Sequence, residues 1–146
     1  MKRDNVIEFY KYQALGNDFI ILDCRKTKVA DPQGTSRIMC RRHFGIGADG
    51  LVLAIPHRSN QVRMEFYNPD GSRAEMCGNG IRCLAKYCFE KNIADKTELR
   101  IETLAGVKTV WLNVKDGNVR SVTVNMGSPS FERRICLLYT SPSPRD

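Results

Sequence analysis

Asn68-Pro69-Asp70-Gly71-Ser72-Arg73-Ala74-Glu75-Met76-Cys77-Gly78-Asn79-Gly80-Ile81-Arg82-Cys83 reads as a turn-rich loop that delivers the chain into a helix. Beyond it, Ile81, Leu84, Ala85, Cys88 and Phe89 fall at i, i+3, i+4, i+7 and i+8, which is one apolar face. Lys86, Glu90 and Lys91 lie off that face, and Asn92 can end the helix in the left-handed conformation. The spacing predicts a helix over 78–91. Cys83 and Cys88 then belong to its buried body, whereas Cys77 precedes its first full turn. A helix start offers unpaired backbone N–H groups and the positive end of the macrodipole. That setting favours thiolate over thiol and can hold a carboxylate. The same residues would also suit a glycine-rich turn around a buried structural cysteine, because one cysteine alone is a weak signal.

Outward from this stretch, the pattern is mostly strand. Val6 to Tyr12 reads as a strand with Ile7 and Phe9 on one side, and Leu15-Gly16-Asn17-Asp18 reads as a turn. Phe19 to Asp23 is a second, more buried strand. Asp31-Pro32 starts a helix, with a capping acid and proline at the first helical position. Ile38, Met39 and Phe44 would face inward along it, and Gly45 would end it. Gly45 to Gly50 is a loop into a strand over 51–55. It precedes a strand and lacks a Lys-Ser/Thr ending, which excludes a phosphate cradle. His57 to Gln61 is a hairpin loop before a strand over 62–67. Strands over 97–103 and 108–114 flank a turn at Ala105-Gly106. Asp116-Gly117 signals a hairpin into a last strand through Val119, Val122 and Val124. About seven strands and two helices, mostly hairpin-linked, make an α+β fold with a largely antiparallel sheet, against which the helix at 78–91 is buried.

Composition narrows the function. The 146 residues suit one domain, and 42% hydrophobic content supplies a core. No apolar run reaches the roughly 18 residues of a membrane span. The segment 1–5 is polar and leads straight into a strand, so no secretory leader is expected. The cysteines are Cys24, Cys40, Cys77, Cys83, Cys88 and Cys136, with no C-x-x-C pair, and the two histidines lie near no cysteine cluster. Reduced thiols in a cytoplasmic protein are expected, with no structural metal site. The net charge of +7 is spread among 16 acidic residues, so it reads as ordinary surface charge and not as a nucleic-acid interface. From Arg133 onward the period is lost and the chain runs into a Ser-Pro repeat. Residues 133–146 read as a disordered end or as sequence foreign to the domain, which leaves Cys136 without functional weight.

Three ordered blocks carry a resemblance. They are Phe9-x-Lys11-x-x-Ala14-Leu15-Gly16-Asn17-Asp18-Phe19, then Arg42-His43-Phe44-Gly45-Ile46-Gly47-Ala48-Asp49-Gly50-Leu51, then Phe66-Tyr67-Asn68-Pro69-Asp70-Gly71-Ser72 running through Glu75-Met76-Cys77-Gly78-Asn79-Gly80-Ile81-Arg82-Cys83. Met126-Gly127-x-Pro129 follows at a compatible distance. Together they resemble the diaminopimelate epimerases, specifically the N-terminal half, over about residues 6–131. Proline racemases share the architecture, but the Gly-Asn-Asp-Phe and Cys-Gly-Asn-Gly-Ile-Arg-Cys blocks favour the epimerases.

The resemblance implies a largely antiparallel to mixed sheet wrapped around a central helix, one of two pseudo-symmetric domains. It implies a cofactor-independent reaction with no metal, in which one cysteine removes an α-proton and a second delivers one to the opposite face. Cys77 matches the first catalytic cysteine, and Asn17, Asn68, Gly78 and Asn79 match substrate contacts. Some family members carry glutamine where Gly50 stands, so any contact from that side chain is missing here. No cysteine here occupies the second catalytic motif. Residues 1–132 would therefore form an incomplete N-terminal domain with an open sheet edge, inactive alone. The implied partner is a small amino-acid substrate, with no nucleic acid and no membrane, and a homodimer is open to the complete protein. Another amino-acid racemase of the same fold, or a non-catalytic carboxylate-binding module, remains the alternative.

Overall fold

A computed structural model describes residues 6–57 and 62–129. Strand β1 (Tyr10–Ala14) turns at Leu15-Gly16 into β2 (Asn17–Asp23). Both turn residues take positive φ, 55° and 81°. That conformation gives a tight hairpin the twist of its strands. Helix α1 (Pro32–Met39) follows, capped by Asp31, whose Oδ1 accepts from the Gly34 N–H at 2.9 Å. It crosses over to β3 (Gly50–Pro56), which runs parallel to β2. Next come β4 (Val62–Tyr67), antiparallel to β3, and the two-residue β5 (Arg73–Ala74), which pairs with the end of β4. Helix α2 (Gly78–Glu90) then leads to β6 (Glu98–Thr103), parallel to β4. Antiparallel β7 (Gly106–Lys115) and β8 (Asn118–Val124) complete one sheet in the order β1-β2-β3-β4-β6-β7-β8.

The sheet curls around α2. The helix contacts β1 at one end of the sheet order and β8 at the other, as well as β2, β3, β4 and β7. Of its apolar face, Ile81, Leu84, Ala85 and Cys88 are wholly buried with Phe19, Ile21, Val52, Met64, Phe66, Ile101 and Val110, and Phe89 is half-buried against the same core. Tyr87 lies off the expected apolar stripe, yet it is also fully buried. Its hydroxyl donates to Asp23 Oδ2 at 3.0 Å, and Asp23 is gripped in turn by Arg25 at 2.6 Å. A buried tyrosine tolerates its position when the hydroxyl finds a partner. A second core lies on the opposite face of the sheet, where Ile20, Leu22, Leu51, Leu53 and Tyr67 pack with Cys40 and Ala48 beneath α1. Burial on both faces explains the unbroken apolar runs of β2 and β3.

Several expectations need correction. Strand pairing starts at Tyr10 and not at Val6, and Val6, Ile7 and Phe9 precede it as exposed residues. Helix α1 ends at Met39 and does not run on to Gly45. Its inward face carries Ser36 and Cys40; Ile38, two positions from each, must point the other way and is exposed. Phe44 is exposed too, with the Arg41 guanidinium over its ring at 4.4 Å. Gly45 is needed for another reason. A Cβ there would lie 2.2 Å from the Ile38 carbonyl oxygen, because the chain folds back across the end of α1. Asn92 takes the left-handed conformation at φ 52°, as expected, and Asp116-Gly117 forms its hairpin turn. Part of the expected 57–61 loop, the 133–146 tail and Cys136 lie outside the described residues. Among the described residues no helix is long and apolar enough to cross a membrane.

Candidate active site

Cys77 is the N-cap of α2. Its backbone is extended (φ −133°, ψ 116°), and its Sγ accepts from the Gly80 N–H at 3.3 Å. A thiol thus stands where serine or aspartate usually caps a helix. Gly78 and Asn79 supply the first helical N–H groups, and among the described residues neither has an acceptor. Cys77, Gly78 and Asn79 are half-buried, so this end of the helix is reachable from solvent. Gly80 must stay small. A Cβ on it would approach Met64 Cε at 3.0 Å and Cys77 Cβ at 3.3 Å. Met126, from the segment after β8, reaches the same turn, with Sδ 3.7 Å from the position a Gly78 Cβ would take.

The other described cysteines are of a different kind. Burial pushes the thiols of Cys24 and Cys83 up to about 11 and that of Cys88 up to about 12. Burial raises Cys40 as well. Cys83 and Cys88 point into the core as expected.

Strand register gathers the remaining site residues at the same end of the sheet. Phe19 pairs with Gly50 and Leu51 pairs with Tyr67, so Asn17, Asp49 and Asn68 all sit at that edge. Asn79 Nδ2 donates to Asn17 Oδ1 at 3.2 Å, which joins the first block to the third across 62 residues. Asn68 is placed differently. Its side-chain amide donates to Ser72 Oγ at 2.9 Å, and its backbone carbonyl accepts from Ser36 Oγ at 2.8 Å. It belongs to the loop beside the site and shares no hydrogen bond with Asn17, Cys77 or Asn79.

Sequence reasoning gave no role to the charged residues that support this end. Asp49 Oδ2 accepts from Asn17 Nδ2 at 2.7 Å and from the Asp18 N–H at 3.1 Å. Arg42 bridges Asp18 and Asp49 at 2.6 and 2.8 Å, and Lys11 reaches Asp18 at 3.0 Å. Arg42 above all, then Lys11, holds the Asp18 carboxyl well below the usual range. The Asn17 amide, the Asp18 N–H and Arg42 likewise hold Asp49 low. Lys11, Asp18, Arg42, Asp49 and Arg82 all stand inside the three blocks. The signal available was this density of opposite charges at turn positions. At Gly50, a Cβ would lie 2.5 Å from the Phe66 ring, so that space is filled by an aromatic neighbour. Among the described residues no three His, Cys, Asp or Glu side chains converge as a metal site would require.

The family model described as diaminopimelate epimerase matches residues 9–132. A diaminopimelate epimerase of Pelotomaculum thermopropionicum is 54% identical over 129 residues, covering 87% of this chain and 46% of its own length. One from Methanococcus maripaludis is 46% identical over 138 residues, covering 94% of this chain and 50% of its own length. The chain thus spans about half the length of the curated relatives it matches. Among solved structures, a hydroxyproline epimerase from Agrobacterium vitis superposes with TM-score 0.70 at 18% identity, over 86% of this chain and 43% of that one. A probable proline racemase from Agrobacterium radiobacter gives TM-score 0.67 at 17% identity, over 83% and 42%. These two likenesses bear on the fold alone, a mixed sheet around a central helix. The sequence match over most of its length places this chain in the diaminopimelate epimerase family.

Proposed function

We propose that this chain forms the Cys77 half of a cofactor-independent epimerase that interconverts LL- and meso-diaminopimelate. The observation that carries the reading is the Cys77 cap: a reachable sulfur beside two uncommitted helix N–H groups and the Asn79–Asn17 pair. The Cys77 thiolate takes the α-hydrogen as a proton, and the C–H electron pair passes into the carboxylate-stabilised carbanion. The Gly78 and Asn79 N–H groups face the α-carboxylate, where this charge develops. A thiol on the opposite face then gives its proton to carbon, so the pair ends with the two sulfurs' protonation exchanged. That second cysteine belongs to the rest of the protein.

The sheet supports a missing half. Between β1 and β8 lies a cavity of about 360 Å³, lined by Tyr12, Ala14, Arg82, Cys83, Lys86 and Val122. In this reading a returning segment of the complete protein fills it. The substrate partner is a small amino acid, and the complete protein works in the cytoplasm, with a homodimer as one assembly open to it.

The test is LL-to-meso conversion by the complete protein, with α-proton exchange followed in D₂O. Cys77→Ala should abolish inversion, because the first base is gone. Inversion that survives the substitution would overturn the reading. Turnover of a cyclic amino acid and not of diaminopimelate would favour a racemase of the same fold. Binding without exchange would favour a carboxylate-binding module.

A further inference from the structure

Two asparagine amides stand in series between a group that only donates and a group that only accepts. Arg82 Nη2 donates to Asn79 Oδ1. Asn79 Nδ2 donates to Asn17 Oδ1 at 3.2 Å, and Asn17 Nδ2 donates to Asp49 Oδ2 at 2.7 Å. A guanidinium carries no acceptor, and an ionised carboxylate carries no donor. Asp49 is kept ionised by the Asn17 amide, the Asp18 N–H and Arg42, whose Nη2 donates to its Oδ1 at 2.8 Å. An isolated asparagine can face either way. Here a flip of Asn79 would set its NH₂ against Arg82, and a flip of Asn17 would set its carbonyl against Asp49. Neither amide can reverse alone, because each holds the other's orientation. Both ends forbid reversing the two together.

We propose that Arg82 and Asp49 are positioning residues that lock the Asn79 and Asn17 amides in one orientation, so that the site beside Cys77 offers N–H groups and recognises a carboxylate oxygen. Each amide carbonyl already accepts from the preceding donor in the series. Each amide nitrogen keeps a second hydrogen for a ligand, and each carbonyl oxygen, already accepting from the series, keeps one lone pair. The locked direction therefore fixes where the free N–H of each amide points, and at that place an anionic oxygen is favoured over an ammonium group. This rests on the reading above, that Asn17 and Asn79 contact the substrate.

The experiment has two arms. In the first, this chain is ¹⁵N-labelled and its asparagine side-chain NH₂ signals are followed in Asp49→Asn and Arg82→Met. The series predicts that either substitution shifts the side-chain signals of both Asn17 and Asn79, including the distant one, while backbone signals of the sheet stay in place. Shifts confined to the adjacent asparagine in both variants would overturn it. In the second arm, the complete protein is assayed with diaminopimelate. Asp49→Asn should raise KM about tenfold, the scale of one charge-assisted hydrogen bond, with kcat changed far less. Arg82→Met should do the same, and Asp49→Glu and Arg82→Lys, which keep an acceptor-only and a donor-only end, should recover much of the loss. An unchanged KM in both disrupted variants would overturn the proposal. Should the complete wild-type protein not epimerise diaminopimelate at all, the functional reading falls, and the first arm still decides the series.

Discussion

At the scale of the residue, the cysteines divide by what surrounds the sulfur. Cys24, Cys40, Cys83 and Cys88 sit where burial opposes the thiolate. Cys77 Sγ instead accepts a backbone N–H at the start of a helix and remains reachable. Thiolate character and access together govern attack by thiol reagents. Iodoacetamide should therefore modify Cys77 before Cys24, Cys40, Cys83 and Cys88 in the folded chain, as read by peptide mapping over a pH series. Earlier labelling of Cys83 or Cys88 would show that the α2 cap does not activate its sulfur. The position of Cys77 was legible in the sequence because a turn of Gly and Asn directly abuts a 3.6-period apolar stripe. The Arg82-to-Asp49 series was not legible. Two of its three links join residues 62 and 32 positions apart, and nothing in local pattern says which of several polar turn residues will meet.

At the scale of the element, α2 is the organiser, and the surprise in it is Tyr87. The apolar stripe gave the helix its existence and its inner face, yet a helix enclosed by a curled sheet has little outer face left. Tyr87 is buried on the side that periodicity leaves polar, and its hydroxyl is satisfied by Asp23 at 3.0 Å. Burial pushes the Asp23 carboxyl up, but Arg25 and the Tyr87 hydroxyl more than offset this, and the net direction is down. A carboxylate whose folded pKa is depressed adds stability above its unfolded value of about 3.9, and that stability is lost as pH falls through the folded pKa. Tyr87→Phe should cost about 1–3 kcal/mol at neutral pH, because it takes a hydrogen bond from a buried charge. The gap from wild type should narrow on acidification, since protonated Asp23 no longer needs the donor. Urea denaturation at pH 7 and at stepped lower pH measures both, and a gap that stays constant with pH would refute the linkage. The hairpins β1–β2 and β7–β8 were legible from their turn residues. The parallel pairings β2–β3 and β4–β6 were open to reading from the helix that separates each pair of strands, the usual mark of a parallel crossover, but the count of hairpin turns weighed more.

At the scale of the whole molecule, the sheet wraps α2 but does not close. Among the described residues β1 and β8 each pair on one side only, and the cavity between them exposes Arg82 and Lys86 of the helix they flank. Unpaired edges of this kind invite another strand. The site at Cys77 is open in the same way, held from one side by α2 and the β2, β3 and β4 ends. On the proposed two-cysteine reading, in which the rest of the protein supplies the second thiol, two consequences follow for catalysis by this chain alone. Inversion needs a proton donor on the face opposite Cys77, and no second matching cysteine is present. Water reaching an open site also weakens each contact to the developing carbanion, since Coulomb energies at about 4 Å fall severalfold between a protein-like and an aqueous dielectric. The chain alone should therefore give no useful LL-to-meso conversion and little α-proton exchange in D₂O. Mixing it with the separately produced remainder of the protein should restore both, by covering the β1–β8 gap and supplying the second thiol. Robust turnover by this chain without its complement would sink the two-cysteine account, and exchange without inversion would show Cys77 acting as a lone base.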